Sequence, residues 1–395
     1  MYFFINGPYT DYYGYQKSIN TKLEGLFMTQ INIDDIKHIA IGASLLGAGG
    51  GGNPYVGTLM AISAVREKGP VQLIEPTDVP EDALVISASM VGAPAVSLEK
   101  FPNGNEYDKA FPLLEETYGQ KAYATYPIEA GGINSMIPIM VAARRGLPLV
   151  DVDGMGRAFP ELQMTTFAIA GHPVTPIVIT DERGNNALVN TIDANWAEKI
   201  IRTITVKMGA TSSVAGDAVH GKDLVANGVT GIISLSKQIG ELIDSASDFE
   251  TVDAALTQLL QITKGYKLFT GKITDINHTT KDGFNFGEVT IEGFGTFEQS
   301  FGSVSFQNEN IIFKVNDQVL ATAPDLITLV DVDTLIPVTN EELRYGKRVN
   351  VLGLPANSKW RTEVGIATVG PRYFGYDIDY VPLEQLVEKY SKMGE

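Results

Sequence analysis

The chain contains no cysteine. That absence excludes disulfides, thiolate nucleophiles, cysteine-ligated zinc and cysteine-held iron–sulfur clusters. Histidine is nearly as scarce: His38, His172, His220 and His278 are the four present in 395 residues, widely scattered and forming no His-Glu-x-x-His zinc motif. Any bound metal must therefore rest on oxygen or imidazole, and a carboxylate-dominated set is expected. Long apolar runs are missing too. No stretch reaches the length of a membrane span and no charged-then-apolar leader opens the chain, which makes the cytoplasm the expected compartment. Basic residues are outnumbered, with 30 Lys and Arg against 47 Asp and Glu for a formal charge of −17. This balance disfavours nucleic acid or an anionic membrane as a partner held by bulk electrostatics. A small molecule is the expected partner, with a homo-oligomer left open.

What is present is material for two cores: 395 residues, 44% of them hydrophobic and 19% charged. Residues 1–27 carry eight aromatics without clear periodicity and read as an N-terminal extension or a misplaced start. From Ile33 the pattern is helical, with Ile36, Ile39, Ala40, Ala43 and Leu46 on one face and Asp34 and Asp35 at the N-terminus. That helix stops at Gly47, and Pro54 opens a second over 55–68. Strands follow near 71–75, at 84–90 and at 124–128, with a helix near 107–118 between the last two. A helix over 135–146 and a short apolar strand over 146–150 then complete a βαβ unit. A hairpin at 176–180 and 187–191, a helix over 194–208, and helices at 225–244 and 251–262 come next. Beyond residue 264 short alternating runs at 267–276, 286–291, 310–315, 326–331 and 348–354 describe a mostly β region, closed by a helix near 383–392.

The expected architecture is thus an N-terminal α/β domain with a parallel or mixed sheet, followed by a mostly β C-terminal domain with a helical connecting region. The expected boundaries are an extension over 1–27, the α/β domain over 28–205 and the C-terminal domain over 206–395. Within the last, 206–262 is mainly helical, 263–381 mainly β, and 382–395 a terminal helix.

Chemistry concentrates where strands end. Asp151-Val-Asp-Gly-Met-Gly-Arg-Ala-Phe-Pro-Glu161 follows the apolar strand, so Asp151 and Asp153 are expected to point the same way off its edge, with Arg157 as a planar donor and Glu161 beyond. A strand-end turn with solvated acids is the plain alternative. Glu129, in Glu-Ala-Gly-Gly-Ile-Asn134, is expected at the same carboxyl edge on a neighbouring parallel strand, which is where open α/β sheets bind ligands. The run Gly49, Gly50, Gly51, Gly52 joins two helices and lacks the context of a dinucleotide fingerprint or a P-loop. Four glycines in succession imply a close backbone approach, either to a small anionic ligand or within a tight structural turn. Arg372 lies among aromatics in a late Gly-Pro-Arg-Tyr-Phe-Gly segment, where it could close a pocket over a planar ring or serve domain packing. His172 and His220 are second-tier candidates for a metal or a proton shuttle, each more simply read as a satisfied polar residue.

Three fragments, Leu46-Gly-Ala-Gly-Gly-Gly-Gly-Asn-Pro54, residues 129–134 and residues 151–161, resemble the S-methyl-thiohydantoin desulfurase-like family. The likeness continues through Ala323-Pro-Asp-Leu-Ile327, residues 343–349 and residues 369–375, and so spans about 33–378. The resemblance implies a two-domain protein tied to hydantoin metabolism, with relatives that remove sulfur from thiohydantoins in a metal-dependent manner. It implies no residue-level mechanism. The leading expectation is a hydrolase that replaces C–S by C=O on a small thiohydantoin or S-alkyl-thiohydantoin. A divalent ion on Glu129, Asp151 and Asp153 would activate water, the glycine-loop amides and Asn134 would hold the ring, Arg157 would orient a carboxylate, and Glu161 would act as general base. A ring-opening amidohydrolase, or its accessory subunit, is the second reading. A non-catalytic protein that captures a small metabolite is the third.

Overall fold

The computed structural model describes residues 30–393 apart from 93–95, 97–99, 101 and 282. The expected extension over 1–27 lies outside the described residues. Two sheets organise the rest. The first has seven strands, in the order β1 (Leu73–Ile74), β4 (Leu149–Val150), β3 (Ala122–Tyr126), β2 (Leu84–Gly92), β8 (Thr211–His220), β6 (Ile177–Thr180) and β7 (Asn186–Val189). Its β1, β4, β3 and β2 run parallel, and β8, β6 and β7 extend it antiparallel. The sheet is therefore mixed, within an α/β N-terminal domain as expected. A two-stranded ribbon of β5 (Val152–Asp153) and β9 (Val229–Thr230) lies beyond the parallel edge. The second sheet has eight antiparallel strands, ordered β14 (Gln318–Thr322), β13 (Glu309–Val315), β12 (Phe301–Gln307), β11 (Phe284–Gly293), β10 (Tyr266–Lys281), β17 (Arg348–Leu354), β15 (Leu326–Asp331) and β16 (Pro337–Val338).

The helices are, in order, α1 (Ile33–Leu46), α2 (Tyr55–Lys68), α3 (Glu106–Tyr118), α4 (Met136–Arg145), α5 (Thr166–Ile169), α6 (Ala194–Lys207), α7 (Gly221–Asn227), α8 (Ile232–Asp244), α9 (Val252–Thr263), α10 (Glu363–Val369) and α11 (Leu383–Met393). Among the described residues no helix is long and apolar enough to cross a membrane. The start of α1 falls where the acidic pair placed it: Asn32 accepts from the amides of Asp34 and Asp35, and Asp35 returns a bond to the Asn32 amide. This reciprocal cap satisfies donors that the first helical turn leaves free. Gly42 on α1 meets Ser236 on α8, with no room for a side chain between the two helices.

Several elements depart from the sequence reading. Residues 211–220 form a central strand, β8, so the first sheet draws on chain beyond residue 205 and the second begins only at Tyr266. The single helix expected over 225–244 is two, because Gly228 ends α7 and Gly231, at φ +78°, opens α8. Strands β12 and β14 were not anticipated. The strand expected over 146–150 shrinks to two residues, since Gly146 still belongs to the C-terminal cap of α4.

Candidate active site

Strands β3 and β4 are adjacent and parallel, so Glu129 and Asp151 do emerge at one sheet edge, as the βαβ pattern required. Their side chains then part. Helix α8 begins at a glycine with no capping side chain, and Asp151 serves as its cap from outside. The carboxylate accepts from the Ile233 amide (2.7 Å), the Ser234 amide (3.3 Å) and the Ser234 hydroxyl (2.5 Å). An anion at a helix N-terminus is held by both hydrogen bonds and dipole. Asp153 turns into its own loop, accepting from the Met155 and Gly156 amides at 3.1 and 2.7 Å while its second oxygen is buried without a partner. Burial raises its pKa well above the usual range, and Glu129 adds to the rise.

A cavity of about 90 Å³ opens beside Glu129. That is several times the ~10–15 Å³ one water requires. Gly51 and Gly52, Glu129, Asn134, Glu161, Asp217 and Glu309 line it, with Met90, Val91, Ile128, Ile133 and Phe159 as apolar wall. Asp151, Asp153, Arg157, Gly49, Gly50, Arg372, His172 and His220 are not among the lining residues. The two acids that sequence reasoning missed complete it. Glu309 opens β13 in the second sheet, and Asp217 sits in an irregularity of the β2–β8 pairing at φ +40°. Bulges and left-handed non-glycine residues gather at functional sites. The signal for Glu309 was the polar triplet Asn308-Glu-Asn310 heading an apolar run; for Asp217, an acid inside an otherwise apolar and small-residue stretch.

Glu129, 5% exposed, accepts from the Asn134 side-chain amide at 2.7 Å and the Phe159 amide at 3.3 Å. Burial pushes its pKa up to about 7, against the pull of these two donors and of Arg157. Glu309, 3% exposed, accepts from the Gly51 amide at 3.2 Å through Oε1, and Oε2 is buried without a partner. Burial raises its pKa well above normal, and the neighbouring Glu129 raises it further. Asp217 is pushed up to about 7 by burial alone. The site is thus a small chamber of buried acids with raised pKa values, Glu129 and Asp217 near 7, where a carboxyl can both take and give a proton around neutral pH.

The other expected participants support this chamber. Asn134 also bonds Met90 in both directions, fixing the end of β2 to Glu129. Arg157 is wholly buried and donates only to backbone carbonyls of Ala158, Pro324, Asp325 and Asn310, with its guanidinium over the Phe159 ring at 4.3 Å. It clamps the second sheet onto the first and does not reach the cavity. Glu161 does line the cavity, at the end of a chain from Gln163 and the Tyr373 hydroxyl. Arg372 instead pairs outward with Asp377 and Asp379 on the exposed surface, so its neighbour Tyr373 carries the contact expected of that segment. His172 bonds Asn227, and His220 precedes α7.

The glycine loop is a structural turn first. Gly49, Gly51 and Gly52 have φ of +87°, +72° and +74°. The Ala48 and Gly49 carbonyls accept from the Asn310 and Asn340 amides, and the Gly51 carbonyl from the Ile133 amide. A Cβ on Gly50 would lie 2.0 Å from Glu309 Oε1, and one on Gly51 2.5 Å from the Gly131 Cα. Gly50→Ala and Gly51→Ala should therefore each cost about 1–3 kcal/mol by overpacking, with Gly51 the worse because of its positive φ. Thermal midpoints unchanged in both variants would contradict this packing.

A divalent ion on Glu129, Asp151 and Asp153 does not fit these positions. Asp151 is engaged by α8 through both oxygens, Asp153 is held by its own turn through one, and no group of three His, Asp or Glu able to hold a metal is found among the described residues.

The fold and site together define a two-domain α/β protein with an acid-lined cavity between its sheets. The chain belongs to the S-Me-THD-like family: the N-terminal domain model matches residues 34–191 and the C-terminal domain model residues 192–383. The two models meet at 191/192, inside the first sheet's stretch of chain. A crystal structure of a protein from Chromobacterium violaceum is similar in fold, at a TM-score of 0.76 and 23% identity over 90% of this chain and 99% of that one. No protein of curated function matches.

Proposed function

We propose that the protein hydrolyses a small S-alkyl-thiohydantoin or thiohydantoin to the hydantoin, with Glu129 and Glu309 as its acid–base pair. The observation that carries this reading is the convergence of Glu129, Glu309 and Asp217 on one small, partly apolar cavity. Two acids in different surroundings divide the roles. Glu129 receives two hydrogen bonds and the field of Arg157, which favour its anion and make it the base. Glu309 receives one, lies against Glu129 and has a free oxygen on which a proton can sit, which makes it the acid.

In the proposed reaction on the S-alkyl ring, Glu129 takes a proton from water as the oxygen attacks the C=N carbon that bears sulfur, and Glu309 protonates the adjacent ring nitrogen. The tetrahedral carbon then carries hydroxyl and thioether. Its collapse returns the hydroxyl proton to Glu309 and sends the proton on Glu129 to the departing sulfur, leaving C=O, N–H and a free thiol. Both carboxyl groups end as they began. Family membership and the cavity's apolar wall support a compact ring as substrate. No step depends on the expected divalent ion.

The test is thiol release from an S-methyl-thiohydantoin, with the ring product identified by mass. Activity should survive exhaustive chelation, since the three expected ligands are not assembled. Loss on chelation with recovery on adding a divalent ion would reinstate the metal reading, whereas a ring-opened product would favour the amidohydrolase.

A further inference from the structure

Acids dominate the polar wall of the cavity, so the side-chain N–H groups still free to donate into it decide how a ligand is turned. Four nitrogen-bearing side chains line it: Asn53, Asn134, Arg202 and Asn308. Two are spent. The Asn53 amide donates to Glu342 at 2.7 Å, and that of Asn134 donates to Glu129 and to the Met90 carbonyl. Arg202 is the one cation on this wall among the described residues, and its guanidinium is held on three sides without using all its donors. Nε donates to Glu198 at 2.6 Å, Nη2 to the Pro160 carbonyl at 2.9 Å, and Cζ lies 4.3 Å from the centre of the Phe284 ring. Nη1 donates to no described residue and is not fully buried. Asn308 stands in the left-handed region at φ +56°, where its Oδ1 accepts from the Asn285 amide at 2.8 Å and its own amide donates back to the Asn285 carbonyl. The first of these bonds fixes which end of the side-chain amide is oxygen, so Nδ2 is the end left over. It too donates to no described residue and is not fully buried. Residues 284 and 285 are consecutive at the start of β11, so one end of a second-sheet hairpin holds both donors.

We infer that Arg202 Nη1 and Asn308 Nδ2 are the pair that binds the ring carbonyl which the reaction leaves unchanged, an inference that rests on the reaction proposed for this cavity. A carbonyl oxygen has two lone pairs and accepts two hydrogen bonds, which matches two leftover donors. A carboxylate is matched instead by two parallel N–H groups of one guanidinium, and with Nε and Nη2 engaged Arg202 offers a single nitrogen. Donors fixed before the ligand arrives cost no reorganisation when it does. Holding this oxygen orients the ring and leaves its sulfur-bearing carbon to Glu129 and Glu309.

Calorimetric titration at neutral pH with two uncharged probes tests the pair: hydantoin, and 2-imidazolidinone, which keeps the urea and carries CH2 in place of the second carbonyl. The wild-type protein should prefer hydantoin by at least about tenfold, the worth of a hydrogen bond to a charged donor. Arg202→Lys keeps the charge and loses the fork, while Asn308→Asp keeps the turn and the acceptor for Asn285 but has no donor. In each the preference should shrink by at least about threefold. A merely structural role for either residue would weaken both probes alike and leave their ratio unmoved. Circular dichroism checks folding, and if one variant does not fold, the wild-type ratio and the other variant decide. A smaller wild-type preference, no binding of hydantoin, or a preference that shrinks by less in either folded variant would overturn the inference. The expected ratios without thiol release would remove the catalytic proposal alone, and thiol release without them would remove this inference alone.

Discussion

Glu129→Gln should lower kcat/KM for thiol release by about 10²–10⁴-fold, the usual contribution of a positioned acid or base. The substitution keeps the shape of the side chain, and an amide oxygen can still accept from Asn134 or the Phe159 amide. What it removes is the ability to take a proton from water. Glu309→Gln should fall by a similar factor, since an amide cannot supply the proton that the proposed reaction takes from this residue. Because the two groups act as one unit, the double variant should be little worse than either single one. Rates within about threefold of wild type in Glu129→Gln, measured with correct folding, would sink the assignment of the base.

The second large effect is on stability. Asp217 has its carboxyl raised from 3.8 to about 7 by burial. The native state therefore holds this proton more tightly than the unfolded chain does. Stability is unaffected below the unfolded value, falls as pH climbs through the interval between the two values, and bears the full cost above about 7. That cost is up to roughly 4 kcal/mol for one carboxyl. Asp217→Asn, which cannot ionise, should raise unfolding free energy by as much as that near pH 8.5 and by almost nothing near pH 3. Denaturant melts at the two pH values measure the difference directly. An increment independent of pH would show that Asp217 does not titrate across this range. A functional group that costs stability in this way is typical of a binding or catalytic site.

Much of this was legible in the order of residues. The Ile33 to Gly47 helix, the Pro54 start, the βαβ unit ending at Asp151 and the alternating strands after residue 264 all rest on local signals: acidic first turns, periodicity and glycine. Those signals also placed Glu129 and Asp151 at one sheet edge. They could not say where each carboxylate turned. Asp151 and Asp153 look equivalent two residues apart, but α8 arrives from 82 residues downstream with free amides and captures the first. The same limit hid Glu309, whose partner Gly51 lies 258 residues away, and Asp217, which depends on an irregularity in strand pairing. Arg157 had the look of a ligand-binding arginine. Its real partners, the carbonyls of 324 and 325, are 167 and 168 residues distant. Local chemistry fixes what a segment can become, whereas the pairing of distant segments decides which side chain meets the cavity.

The bond between Gly51 and Glu309 also has a consequence for the order of events during synthesis. With 258 residues between its ends, it cannot form until the second sheet has been made. Closing so long a loop comes late, because its entropy cost precedes any reward from the contact. A chain emerging from the ribosome can fold α1, α2 and the first strands and still present no reactive chamber, since one wall is missing. The acid pair comes into being only when both halves are docked, and so the proposed activity would itself report that assembly has finished.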